Sequence, residues 1–445
     1  MLRKHKIILS IIVLIIIAII VTCSVLNNKK ENVDEPTQPT YQPPGDTMYT
    51  RVSNAPWTDG AIFSDLDLTV IETVTFQKVP KKSNIHKQWS FDGFSCYLHG
   101  NEVVFVTNAD RVVINGNMSG AFRDLINCKT INGLEYLDTS NVQDISYMFY
   151  GCNSLEDFNL AALNFDNVEK ANGLFANCYM LKSIDLSDVD FTNIEDMSYM
   201  FEDCASAETI VLPKNQKVKN VEHMFARVGI NATTKTKIIG NLNLSNCTST
   251  NNMFYQVGLI DMEFIEGLDM SNIKTAEGMF YDSLIEDINL SNWDTENLES
   301  TKNMFYSCVF LYECDVSNLN MKSLNNCESM FEKCHSLFDL KINWKNIEKV
   351  QNCAYMFRRC INLGDLDFTG FNNVRLGDTR SMFENCVNLE KIYCDGVTSD
   401  VHDKMFYGCE MLSGTEQFDQ LKLGVEMAST SGYFTKEGRS QRPTT

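Results

Sequence analysis

Histidine is scarce in this chain of 445 residues. The six are His5, His86, His99, His223, His335 and His402, and none stands in an H-E-x-x-H string. No G-x-S-x-G elbow and no G-x-x-x-x-G-K-[ST] loop occurs either, so zinc-peptidase, serine-hydrolase and phosphate-loop chemistries lack their signatures. Positive charge is also short: 38 Lys and Arg stand against 58 Asp and Glu, a formal net charge of −20. Residues 1–30 hold five of the basic residues and no acid, which leaves 33 basic against 58 acidic side chains in 31–445, a balance of −25. Such a body repels phosphate backbones and excludes nucleic acid as a partner, whereas basic or cation-bearing partners are acceptable. The sequence predicts no enzyme, no cofactor and no bound metal.

What is present begins with an address. Arg3, Lys4 and Lys6 (within an n-region, 1–6) precede an uncharged apolar run over 7–26. That length suffices to span a bilayer as a helix. A signal-anchor is the first reading, because the run is long and no small-x-small cleavage site follows. A lipoprotein signal with Cys23 as the lipidated residue, and a cleaved secretory signal, stay open. All three place the rest of the chain outside the cytoplasmic membrane. Residues 27–47 are polar with four prolines and read as a stiffened spacer.

The body repeats. A Met-Phe or Leu-Phe pair places phenylalanine at Phe149, Phe175, Phe201, Phe225, Phe254, Phe280, Phe305, Phe331, Phe357, Phe383 and Phe406, with spacings between 23 and 29 and most often 26. This period belongs to solenoids built of short coils. In the coil after Phe175, Leu181, Ile184 and Leu186 read as a half-buried strand. Ile194, Met197, Met200, Phe201 and Cys204 fall at offsets 0, 3, 6, 7 and 10, which reads as one face of a short helix. The predicted fold class is therefore an α/β repeat solenoid, one short parallel strand plus one short helix per coil, over residues 122–410.

Cys152, Cys178, Cys204, Cys308, Cys334, Cys360, Cys386 and Cys409 each follow the repeat phenylalanine by three residues. Cys327 and Cys353 form a second register. A column of buried thiols is expected, with disulfides between stacked cysteines as the alternative. Spacing of 26 lacks the local C-x2-C clips that zinc favours.

The strings LEYLDTSNVQDISYMFYGC (134–152), LKSIDLSDVDFTNIEDMSYMFEDC (181–204) and IEDINLSNWDTENLESTKNMFYSC (285–308) resemble the BspA-type leucine-rich repeat surface proteins of bacteria, the DUF285 repeat family. The resemblance covers about residues 120–410, and SGYFT (431–435) resembles the close of such arrays. It implies extracellular adhesion and protein–protein contact, with host matrix proteins as ligands for some members; the partner expected for this chain is an extracellular protein, of a host matrix or of a neighbouring cell's surface. It transfers no site, because the matching positions are core positions.

The pattern departs between Phe201 and Phe280. Val228, Val257 and Ser283 replace the ladder cysteine, and Leu244 and Met270, read as last strand residues, come late. Residues 226–241 are therefore expected to protrude as a loop carrying Arg227, Lys235 and Lys237, a candidate binding site. A second candidate is the residue between the last two strand leucines: Asn159, Asp185, Asn243, Asp269, Asn289, Asp315 and Asp367. Such a row on the exposed sheet face could hold basic ligands or calcium, or could simply be solvated. Tyr312, Phe338 and Tyr393 near that face are candidate hot spots.

Residues 48–121 carry no repeat and read as a β-rich N-terminal cap; 411–445 read as a C-terminal cap and tail. Asp65, Asp67 and Thr69 resemble the D-x-D-x-T element of haloacid-dehalogenase-type phosphotransferases, but the further elements and the length of such a domain are missing; a turn before a strand is the plainer reading. Cys96 and His99 lie close in sequence in a segment that reads as strand, which disfavours a thiol nucleophile there. The whole predicts a cell-surface solenoid that binds protein. The alternatives are a self-associating envelope scaffold and, remotely, a hydrolase within 48–121.

Overall fold

The structure is a computed structural model that describes residues 57–59, 63, 66–78, 94–107, 110–114, 117–344, 346–371 and 374–436. The apolar run 7–26, Cys23 and the spacer 27–47 lie outside the described residues. Among those described, no helix is long and apolar enough to cross a membrane.

The body is a parallel β-solenoid with little helix. Strand Ser183–Asp185 pairs with Thr209–Val211, which pairs with Lys237–Ile239, all parallel and one coil apart. Ile184, Ile210 and Ile238 share one register and are buried. A second sheet joins Asp287–Asn289, Glu313–Val316 and Asp339–Ile342, and a third joins Leu366–Asp367, Ile392–Tyr393 and Phe434–Thr435. Alternation decides the outcome: the middle residue of each short strand enters the core and its neighbours face out.

The repeat phenylalanines form one buried column. Rings of successive coils lie 5.2–6.3 Å apart, with interplanar angles of 2–15°. The column starts one coil before the first Met-Phe pair, at Phe122, which stacks on Phe149 at 5.6 Å. Cysteine follows the rings. All fifteen described cysteines are free and buried. The thiols of Cys152, Cys308, Cys334 and Cys360 donate to the carbonyls of Phe122, Phe280, Phe305 and Phe331, at 2.9–3.1 Å. Ser283 makes the same bond through its hydroxyl, to Phe254 at 2.9 Å.

The expected helix per coil is not there. The amides of Met197, Tyr199, Phe201 and Asp203 donate to carbonyls of the next coil, at 2.9–3.0 Å. Between them, Met200, Glu202 and Cys204 donate three residues back. Tyr199 and Asp203 have φ of 57° and 60°, in the left-handed region, and the equivalent positions repeat this from Gly120 and Asp124 to Lys404 and Gly408. No α-helix tolerates such residues within a turn. Each costs about 1 kcal/mol or more in a non-glycine residue, and the bonds between coils offset it. Three-residue turns place apolar side chains at nearly the same offsets as a helix face, so the pattern alone did not separate the two.

The one α-helix among the described residues is a single turn, Glu263–Glu266, in the coil between Phe254 and Phe280. It stands between strands Lys237–Ile239 and Asp287–Asn289, and it separates the first two sheets.

The N-terminal strands join the first coil's sheet. Thr73–Lys78 pairs in parallel with Thr130–Asn132 and with Glu102–Thr107, and Ser95–His99 runs antiparallel to the latter. Trp57, Phe63, Phe76, Phe94 and Phe105 pack with Phe122 in one buried aromatic cluster. At the other end Tyr433 and Phe434 meet Phe406 edge-on, at 5.3 and 6.1 Å.

Candidate binding surface

The solenoid has a strand side and a turn side, and each candidate residue takes its place from the coil that carries it. On the strand side, Asp185 accepts the amide of Ser187 at 2.9 Å, Asp315 that of Ser317 at 3.0 Å and Asp367 that of Thr369 at 3.0 Å. These carboxylates close the corner after each strand. Asn243 and Asp269 close a different corner, onto Ser245 and Ser271, equivalent to the one that Asp190 closes onto Thr192. The expected single row is thus two partial ones. The reason is a shift: Leu244 and Met270 occupy the position of Phe191, three residues before the Ile194 column, and not the last strand position. The bond to the Ser187 backbone holds the Asp185 carboxyl below its ordinary range, and the bond to the Ser271 hydroxyl does so for Asp269.

The row is also broken by its neighbours. Asp185 lies beside Val211, Asp315 between Asn289 and Lys341, and Asp367 beside Tyr393. Tyr393 is half-buried and donates to Asp365 at 3.4 Å. Among the described residues no cluster of acids, cysteines and histidines could hold a metal ion.

The predicted loop 226–241 is mostly coil. Val228, Gly229, Thr236 and Ile238 are buried, and Lys237–Ile239 is a strand, so the part that stands out as a loop shrinks to 230–235, with Ala232 half-buried. Arg227 is no free cation: its guanidinium holds Asp203 through two nitrogens, the nearer contacts being 2.5 and 2.6 Å, and Glu202 at 3.0 Å. Its bonds to Asp203 raise its pKa further. Lys235 and Lys237 stay exposed beside Ile239.

The structure brings together a patch that the sequence only half showed. Asp287, Glu313 and Asp339 stand in direct register on three adjacent strands, two positions before the column expected to matter and on the same face. No ion pair among the described residues engages them. Beside them Tyr312 and Phe338 stack at 5.6 Å, each with over 40% of its surface exposed (43% and 42%). Large aromatics so exposed on a sheet, rimmed by charge, have the make-up of an interaction surface. The signal in the sequence was the residue just before each strand: Tyr312 and Phe338 sit 26 apart.

The turn side carries a second feature that sequence reasoning missed. Tyr255, Tyr281 and Tyr306 stack at 5.1 and 4.6 Å, and Lys333 lies over the Tyr306 ring at 4.6 Å. Burial and the neighbouring phenols push the Tyr281 hydroxyl up to about 12. The rings cover each other's faces, so only edges remain for a ligand. The residue after each repeat phenylalanine was the available signal.

Two chemical candidates resolve into local structure. Asp67 accepts the amide of Thr69 at 3.0 Å and its hydroxyl at 2.6 Å, as a turn residue does; Asp65 lies outside the described residues. Cys96 is buried, which pushes its thiol up to about 12, away from nucleophilic use.

Comparison with known proteins matches these coils. No curated protein sequence matches the chain. A crystal structure of a leucine-rich repeat protein from Eubacterium ventriosum ATCC 27560 is similar at 13% identity, over 76% of this chain and 85% of that one, with a TM-score of 0.27. The family model described as "Mycoplasma protein of unknown function, DUF285" matches residues 116–233, 227–344 and 312–421. These spans overlap into a continuous run over most of the solenoid, and the chain belongs to the DUF285 family.

Proposed function

We propose that this chain is a non-catalytic binding protein of the cell surface, tethered by residues 7–26 and displaying the solenoid to protein ligands outside the cell. The observation that carries this reading is the exposed Tyr312–Phe338 stack beside the Asp287, Glu313 and Asp339 carboxylates. The part of these two rings that is left to water adds nothing to the core, whereas covering it with a partner removes apolar area from solvent at about 25 cal/mol per Å². The N-terminal strands, which cover the first coil's edge, and the apolar run before the spacer suit a body held away from a membrane. The ligand class is an extracellular protein, of a host matrix or a neighbouring cell.

The test displays the full chain on a non-adherent bacterial host and scores attachment to matrix-protein and cell-layer surfaces. Attachment should appear with the chain and fall to background with Tyr312→Ser plus Phe338→Ser. Equal attachment by that variant, with equal display, would end the reading.

A further inference from the structure

The strand side of the C-terminal coils has a geometry that selects its occupant. Asp287, Glu313 and Asp339 repeat once per coil along the solenoid axis, at the inter-strand spacing of about 4.8 Å. Glu286, exposed beside Asp287, adds a fourth carboxylate, and no ion pair among the described residues occupies any of the four. The sheet's own cation, Lys341, is directed at Asp315 at 3.9 Å, and Lys235, which lines one hollow with Glu286 and Asp287, forms no ion pair with them. An occupant must therefore bring positive charge, repeated at a spacing near that of the coils.

Two backbones can supply such a repeat. An extended strand repeats its same-face side chains about every 6.6–6.8 Å. Against a coil spacing of ~4.8 Å it falls out of step by about one whole coil after three. An α-helix repeats the same face about every 5.4 Å, through residues three and four apart. It drifts from the coils by under ~2 Å over three of them, within the reach of a lysine or arginine stem.

We propose that this surface binds a basic α-helix of a protein partner, laid along the solenoid axis. Lys or Arg on one face of that helix meets Asp287, Glu313 and Asp339 in successive coils, and apolar residues beside that face cover Tyr312 and Phe338. The inference rests on the binding reading above, and it names the partner's chemistry and shape.

The experiment uses the full chain in mild detergent and three labelled peptides of identical composition, read by fluorescence anisotropy at low and physiological salt. The first is helical with lysines three and four apart. The second carries the same residues with two D-residues in its middle to break the helix. The third scatters the lysines around the helix. The first should bind about tenfold or more tightly than the other two, a gap of ~1.4 kcal/mol. Asp287→Asn, Glu313→Gln and Asp339→Asn together should remove that preference. Asp185→Asn plus Glu208→Gln, on the other sheet, should leave it in place. Equal binding of all three peptides, or an equal loss from substitutions on the other sheet, overturns the proposal and leaves only bulk attraction to an acidic protein. If attachment of displayed cells depends on Tyr312 and Phe338 while the peptides do not discriminate, the helix inference fails and the binding reading stands. If neither responds, both fail.

Discussion

The sheet Ser183–Ile239 and the sheet Asp287–Ile342 are made by the same coil and differ in what they leave unpaired. In and around the first sheet three acids are matched, although Asp185 is held only by Ser187: Lys182 meets Glu208 at 2.9 Å, Lys214 meets Asp188 at 3.3 Å and Lys219 meets Glu195 at 2.7 Å. Its exposed edge strand carries Lys237 and Ile239. In the second, Asp287, Glu313 and Asp339 line up without an ion pair among the described residues, beside two exposed aromatic rings. The coil with the Glu263–Glu266 helix stands between them. Core positions, which specify the coil, are shared by both halves; outward positions are free to differ, and the difference is where a function can lie.

The largest expected effect tests whether the helical coil also separates the halves energetically. Phe331→Ala removes one ring from the column and should cost about 3–5 kcal/mol. Because coils contact only their neighbours, amide hydrogen exchange should quicken over 287–342 and hardly over 183–239. Equal acceleration in both sheets would show one cooperative unit and remove the joint from the comparison. A middle-sized effect concerns the thiols. Cys334→Val places there the residue that Val228 and Val257 put at this position in other coils, and loses the bond to the Phe305 carbonyl, which still accepts the Cys308 amide at 3.1 Å. A loss of about 0.5–1 kcal/mol in urea unfolding is expected, and Cys334→Ser, copying Ser283, should recover part of it. A serine variant no better than the valine one would deny the bond a role.

The smallest effect is a pH dependence in the first sheet. The Asp185 carboxyl is held below its ordinary value by the Ser187 amide. A depressed folded value means stabilisation that is complete above the unfolded pKa, near 4, and is lost as pH falls through the lower folded value. Asp185→Asn should therefore lower Tm slightly at pH 7, and the gap should narrow as pH falls below about 4 and close once the carboxyl is protonated in the folded state. A gap constant across that range would mean that the charge at this corner does nothing.

Much of the coil was legible because the phenylalanine recurs in every coil and most core positions around it repeat. Phenylalanine every 23–29 residues gave the column, and Ile184 between polar residues gave the strand. Phe122 was missed because Ala121 precedes it and Leu125 stands where cysteine follows in most coils. The helix was misread because Met197, Met200 and Cys204 fit three-residue turns as well as a helical face; the left-handed residues that decide between them include Tyr, His, Arg and Lys, which announce nothing. In 226–241 the true strand, Lys237–Ile239, hid behind the stronger Leu242–Leu244 pattern. The patch was half legible. Tyr312 and Phe338 were visible as aromatics near a strand, but the carboxylate column beside them depends on register, which only the paired strands reveal.

The turn side has one more property. Its amides at Met197, Tyr199, Phe201 and Asp203, and their equivalents in other coils except at Val221 and His223, donate toward the C-terminal neighbour, whereas amides along a paired strand alternate in direction. Peptide dipoles of about 3.5 D each, aligned head to tail in four parallel files, do not cancel. The stack is thus polarised along its length, as a helix is along its axis, with the positive pole at its C-terminal end. There the Phe406 amide is satisfied by the carbonyl of Leu423, so the closing segment quenches one of the files where they run out.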